Sequence, residues 1–154
     1  MKAIGYFVLT VTYAGARATV QRAPRTGRGG ATLLAAAASK ARSLGAWCYR
    51  AGGGWMILRR DGVLDIEVRL VLETDDKQMI YMHWKGLPRG PKDVIDRLNR
   101  GKTVYPSSYY FRTTPYFETA SGGYSWLNRI CAIATGSRVG DRRGLGVYQV
   151  RAPS

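Results

Sequence analysis

The chain has 154 residues, 45 % of them apolar, enough for one domain with a sizeable core, and no apolar run reaches the roughly 18–20 residues of a membrane-spanning helix. Its cysteines, Cys48 and Cys131, lie far apart without CxxC spacing, and His83 is the only histidine, so a zinc site, a disulfide framework and a metal triad of histidines have no support. A net charge of +14 taken alone points to nucleic acid or an anionic surface, yet residues 1–60 hold ten bases and no acid while residues 61–154 hold fourteen bases and ten acids, so the excess splits +10 to +4.

The first element, MKAIGYFVLTVTYAGARA, imitates a signal peptide, with Lys2, an apolar stretch and an Ala-Gly-Ala where cleavage could fall. The β-branched run through Phe7, Val8, Leu9, Thr10, Val11 and Thr12 reads better as a first strand. Residues 23–54, APRTGRGGATLLAAAASKARSLGAWCYRAGGG, carry five of the ten bases of that half and no acid, and are so rich in Ala, Gly and Arg that they look foreign to the rest. GGG at 52–54 precedes a strand instead of a helix; with no GxGxxG fingerprint after a strand and no Walker loop, no nucleotide cofactor is expected.

Alternation is clearest in VLDIEVRLVLETDDKQMIYMHW, residues 63–84. Leu64, Ile66, Val68, Leu70 and Leu72 fall on one face and Asp65, Glu67, Arg69, Val71 and Glu73 on the other, which predicts a half-buried antiparallel strand. Thr74 to Lys77 supply turn chemistry, and MIYMHW is the partner strand, with His83 expected on a solvated face. Pro91, then Val94, Ile95 and Leu98 at helical spacing, then Gly101, mark one short helix. SYYFRTTPYFET, YSWLNRICAIATG and LGVYQV read as three further strands. No internal repeat is present. The fold expected is all-β: a single antiparallel β-barrel with one short helix, one domain over residues 1–154, soluble and cytoplasmic.

LETDDKQMIYMHWKGLPRGPKDVIDRLNRGK, YPSSYYFRTTPYFET and YSWLNRICAIATG resemble the bacterial and fungal family known as domain of unknown function 3237; the pattern YYFRTTPxFET followed by YxWLN is specific, and the segments cover most of residues 55–150. The resemblance implies a small antiparallel barrel, comparable with cyclase and dirigent-type barrels and encoded among genes of small-molecule metabolism, with no settled reaction. It also implies a segment of the type FEGPxxRGxVLPGGxxW, which is missing at the expected place. Back-translated and read one base earlier, Ala38 to Arg42 permit F or L, then E, G and P, and Leu44 to Gly52 can yield nearly the rest of that segment. Residues from about 24 to 52 then read as the product of two compensating frame changes, the original frame resuming before Trp55; a divergent natural insertion is the alternative. In the frame-change reading the basic excess is an accident and nucleic acid is disfavoured as a partner, its case resting on positive charge combined with exposed aromatics.

Strand alternation from Tyr110 places Tyr110, Arg112, Thr114, Tyr116 and Glu118 on one face, with a bulge at Pro115 able to shift the register. Tyr124, Trp126 and Asn128 share a face in the following strand, as Asp65 and Arg69 do in the central one. If these faces line the barrel interior they form an amphipathic pocket for a small-molecule ligand. Arg112 would grip a carboxylate or enolate oxygen, or else close an internal salt bridge with Glu118 or Asp65. Glu118 would be a general base if burial raised its pKa, or Arg112's partner. Tyr110 or Tyr124 would donate to a developing oxyanion, or meet a backbone carbonyl. Asn128 would orient a ligand or a turn, and Asp65 with Arg69 form a structural cross-strand pair. Two functions fit: a cofactor-independent isomerase, cyclase or hydrolase acting on a carbonyl-bearing metabolite, and a non-catalytic small-molecule carrier. The aromatic-rich wall is compatible with a homodimer.

Sequencing both strands of the native gene across codons 24–52 tests the frame reading. Two compensating insertions or deletions are expected; an unbroken frame contradicts it.

Overall fold

The structure, a computed structural model, describes residues 6–12, 18–23, 27–33, 40–41, 46–59, 61–139 and 142–150. Ten strands follow one another as β1 (Tyr6–Thr12), β2 (Ala18–Ala23), β3 (Gly27–Leu33), β4 (Lys40–Ala41), β5 (Ala46–Leu58), β6 (Leu64–Thr74), β7 (Met79–Arg89), β8 (Tyr110–Glu118), β9 (Ala132–Val139) and β10 (Arg142–Gln149), with one α-helix, α1 (Lys92–Asn99), between β7 and β8. Two 3-10 segments, Pro106–Ser108 and Gly122–Arg129, flank β8. Among the described residues, no helix is long and apolar enough to cross a membrane.

Every pairing is antiparallel, and the sheet runs β2-β3-β5-β4-β1-β10-β9-β8-β7-β6, with β5 pairing β6 as well. The sheet therefore curls back toward its own beginning. Its seam lies between β1 and β5, where the two-residue β4 contributes two residue pairs to β1 and a single pair, Ala41 with Ala46, to β5. The expected barrel is met in part: the fold is an antiparallel, barrel-like sheet, with a short bridge instead of a full ladder at the seam.

The alternation of β6 appears as predicted. Ile66, Val68, Leu70 and Leu72 are buried, while Asp65, Glu67, Arg69, Val71 and Glu73 are more exposed. Ile80, Met82 and Trp84 of β7, Phe111 and Phe117 of β8, Ala134 of β9 and Leu145 and Val147 of β10 complete the same core. Burial of each large apolar side chain there contributes about 1.5–3 kcal/mol. The β6–β7 turn forms where Thr74 to Lys77 predicted it: Lys77 N–H donates to Thr74 O at 2.9 Å, and Lys77 takes the left-handed φ of 64°. Helix α1 starts behind Pro91, buries Val94 and Leu98, and ends on Gly101, whose φ of 73° favours glycine.

One predicted strand is corrected. Residues 122–129 form a 3-10 segment and not the start of a strand, so Tyr124, Trp126 and Asn128 do not share a strand face. Tyr124, Leu127 and Ile130, three residues apart, are the ones that pack on the core, and three residues is the 3-10 period. β1 pairs with β10 along its whole length, in keeping with the strand reading of residues 6–12. The Ala-Gly-Ala at 14–16 lies outside the described residues, as do 24–26, 34–39 and 42–45 of the segment read as frame-shifted.

The buried face is tight where β8 meets β9. A Cβ on Gly136 would fall inside the Phe111 ring, so only glycine lets that ring lie against β9.

Candidate functional site

Strand β8 carries most of the side chains picked out by chemistry, and its burial alternates without a break. Phe111, Thr113, Pro115 and Phe117 are buried, whereas Tyr110, Arg112, Thr114, Tyr116 and Glu118 are exposed. Pro115 takes an ordinary place in the β7–β8 register, opposite Trp84, and no bulge interrupts it. The polar face therefore does not line the core. The expected convergence of Arg112, Glu118, Tyr110, Asp65 and Arg69 around an interior pocket is corrected, because apolar side chains of the same strands occupy the buried side. Arg112 and Glu118 are also six residues apart, roughly 20 Å along an extended strand, too far to meet at one small ligand.

The far end of β8 is a structural clasp. Asn128 Nδ2 donates to Thr119 O and Asn128 Oδ1 accepts from Thr119 N–H, both at 2.8 Å, so its amide pairs with the backbone as a neighbouring strand would. Thr119 Oγ1 donates to Met79 O at 2.7 Å. Tyr124 Oη donates to Asp76 Oδ1 at 3.0 Å, tying the 3-10 segment to the β6–β7 turn. Trp126 stands exposed beside them. For Asn128 the structure favours the turn-orienting alternative, while the Tyr124 hydroxyl meets the Asp76 carboxylate and not a backbone carbonyl.

Arg69 and Asp65 do not pair. Arg69 Nη2 donates instead to Glu67 Oε1 at 2.7 Å, and His83 Nε2 lies 3.1 Å and Lys85 Nζ 3.4 Å from the same carboxylate. Partial burial pushes the Glu67 carboxyl up, but Arg69 and Lys85 together outweigh it and hold the group below its usual range. This cluster crosses from β6 to β7 on the exposed face, with His83 one-quarter exposed.

The near end of β8 is different. Arg89, the last residue of β7, sits opposite Tyr110 in the register, and its guanidinium carbon lies 4.8 Å from the centre of the Tyr110 ring. Arg112, two residues along β8 and on the same face, brings its own to 5.1 Å from that ring. Arg112 Nη1 donates to Phe111 O at 3.0 Å, and neither guanidinium has an ion-pair partner among the described residues. Both open onto a cleft of about 1070 Å3 between β8, the start of α1 and the β5–β6 turn. Asp61 and Asp96 also line this cleft, each already engaged: Asp61 with Arg59 and Asp96 with Lys92, both at 2.7 Å. The Lys92 hydrogen bond holds the Asp96 carboxyl below its usual range. Arg89 has no sequence motif; only the pairing register reveals it.

Two buried polar atoms, Trp84 Nε1 and Thr113 Oγ1, have no hydrogen-bond partner in the structure. No group of three or more His, Cys, Asp or Glu side chains among the described residues is arranged to hold a metal ion.

The family model described as "Protein of unknown function (DUF3237)" matches residues 7–151. The chain belongs to this family. A UPF0311 protein of Rhodopseudomonas palustris is 34 % identical over 99 residues, 64 % of this chain and 65 % of that relative, so the sequence match spans just under two thirds of the relative's length. A solved structure of a conserved protein of unknown function from the same organism matches with a TM-score of 0.85 and 28 % identity over 94 % of each chain. A β-barrel-like protein from Acinetobacter baumannii matches with a TM-score of 0.73 and 29 % identity over 95 % of this chain and 92 % of that one. A protein from Penicillium herquei described as an enzyme shares the fold, with a TM-score of 0.66 over 96 % of this chain and 94 % of that one, at 14 % identity.

The clasp has a pH signature. The neighbouring Thr74 hydroxyl, and after it the Tyr124 phenol, hold the Asp76 carboxyl below its usual range, and the Asp76 bond together with desolvation pushes the Tyr124 phenol up. A lowered carboxyl stabilises the fold above its ordinary pKa of about 3.9 and loses that contribution as pH falls through the folded value. A raised phenol stabilises below about 10 and loses its contribution as pH rises through the folded value. Tyr124→Phe should therefore reduce stability between these limits and flatten the fall at both ends, read as the urea midpoint against pH. An unchanged pH profile would show that the bond contributes nothing.

Proposed function

We propose that this protein is a small-molecule-binding domain that takes an organic anion in the cleft at the near end of β8, gripped by Arg89 and Arg112 beside Tyr110. The observation that carries this reading is the convergence of two guanidiniums on one exposed ring, with no carboxylate already paired to either among the described residues. A guanidinium presents its donors in a fixed fork that matches a carboxylate, and it stacks on an aromatic face without using up that fork. At about 1070 Å3 the cleft sits at the upper edge of small-molecule sites, which run from roughly 300 to 1,000 Å3. In this reading the whole chain is one cytoplasmic barrel domain, closed at the β4 seam.

Binding without chemistry is favoured over the isomerase, cyclase or hydrolase alternative. An acid–base catalyst needs a group of matched pKa at the ligand. Here the two cleft carboxylates, Asp96 and Asp61, are each engaged by a cation at 2.7 Å, Lys92 and Arg59, and the Tyr109 hydroxyl already accepts from Arg138 N–H at 3.0 Å. Glu118 lies too far along β8 to take part. The Penicillium protein's description as an enzyme belongs to that protein, and at 14 % identity it lends the fold alone.

Arg89→Ala and Arg112→Ala should each weaken binding of benzoate at least about tenfold, or about 1.4 kcal/mol, with the circular dichroism spectrum unchanged. Isothermal titration on the two variants checks this. Equal affinity in the parent and both folded variants would place the ligand elsewhere.

A further inference from the structure

Resting on that reading of the cleft, we infer that its ligand is a planar aromatic monocarboxylate. Three features of the site select this class. The first is the aromatic platform: Tyr110 is 41 % exposed, and its ring already holds two planar guanidiniums at 4.8 and 5.1 Å. A flat ligand ring can pack against the part of Tyr110 that stays exposed while its carboxylate meets the two forks. A saturated ring or a short alkyl acid can use the forks and gains little from the ring.

The second feature is the rest of the wall. Val63, Pro91 and Ile95 line the cleft. A bare inorganic anion leaves this apolar surface in water, whereas an aryl group removes it at roughly 25 cal/mol for each Å2 covered. The volume of about 1070 Å3 leaves room for more than one fused ring.

The third feature is charge. Lys92 and Arg59 are answered by Asp96 and Asp61, so among the described residues the positive charge that meets a ligand in the cleft is that of Arg89 and Arg112. A single carboxylate is satisfied by two guanidiniums. A phosphate dianion would meet the same two guanidiniums, but it would leave the apolar wall of the cleft in water, whereas an aryl carboxylate covers it. Charge alone admits either anion, and the apolar wall of Val63, Pro91 and Ile95 is what favours the aryl carboxylate.

The test titrates the full chain with acetate, cyclohexanecarboxylate, benzoate, 2-naphthoate and inorganic phosphate by isothermal titration at one ionic strength. The expected order is 2-naphthoate at least as tight as benzoate, benzoate at least tenfold tighter than acetate and cyclohexanecarboxylate, and no displacement of benzoate by equimolar phosphate. Tyr110→Leu should collapse the benzoate-to-acetate ratio, and Tyr110→Phe, which keeps the ring, should preserve it. If acetate, cyclohexanecarboxylate and benzoate bind alike and all are lost in Arg112→Ala, the aromatic class is wrong while the anion site stands. Displacement of benzoate by phosphate also overturns the class. If none of the anions binds, or if Arg112→Ala changes nothing, the anion site itself fails and the class falls with it.

Discussion

The pleat of β8 is the constraint from which the rest follows. Successive side chains on a strand point to opposite faces, so burying Phe111, Thr113, Pro115 and Phe117 sends Tyr110, Arg112, Thr114, Tyr116 and Glu118 out. The choice between faces is decided by energy. Two phenylalanines, packed with Met82, Leu70 and Val147, gain several kcal/mol from leaving water, while burying Arg112 and Glu118 would impose a desolvation cost that pairing offsets only with good geometry. Once the core takes one face, a polar site can form only on the other or at the strand's ends.

The two ends then diverge in role. At the far end, Asn128, Thr119, Tyr124 and Asp76 satisfy one another and fix the 3-10 segment to the sheet. Such a closed set of hydrogen bonds gives rigidity and leaves little for a ligand. At the near end, the pairing of β7 with β8 sets Arg89 against Tyr110, and the two-residue strand period adds Arg112 to the same face. Their donors are not matched by carboxylates among the described residues, and the start of α1 with the β5–β6 turn walls in the space beside them. Local sequence, sheet register and available chemistry thus meet at one place.

Much of this was legible from residue order. The alternation of β6, the turn at Thr74–Lys77, the helix bounded by Pro91 and Gly101, and the pairing of Tyr110 with Arg112 all follow from short-range pattern. Three things did not. The period-two spacing of Tyr124, Trp126 and Asn128 imitates a strand, while the period-three spacing of Tyr124, Leu127 and Ile130 is the one the core rewards. Polarity on one face of β8 suggested a lined interior, but which face turns inward depends on what the neighbouring strands bring. Arg89 could not be found at all without the β7–β8 register. The Gly-rich β3 carries no alternation to read, yet its backbone pairs with both β2 and β5. That pairing rests on backbone hydrogen bonds, to which an unusual composition is no obstacle.

The most direct measurement is a crystal structure of the protein soaked with 4-bromobenzoate, with the bromine located by its anomalous scattering. The account predicts bromine in the cleft, the carboxylate bridging Arg89 and Arg112, and the ring against Tyr110. Bromine within the buried face instead, beside the unpaired Trp84 Nε1 and Thr113 Oγ1, would contradict it and return the site to the barrel interior.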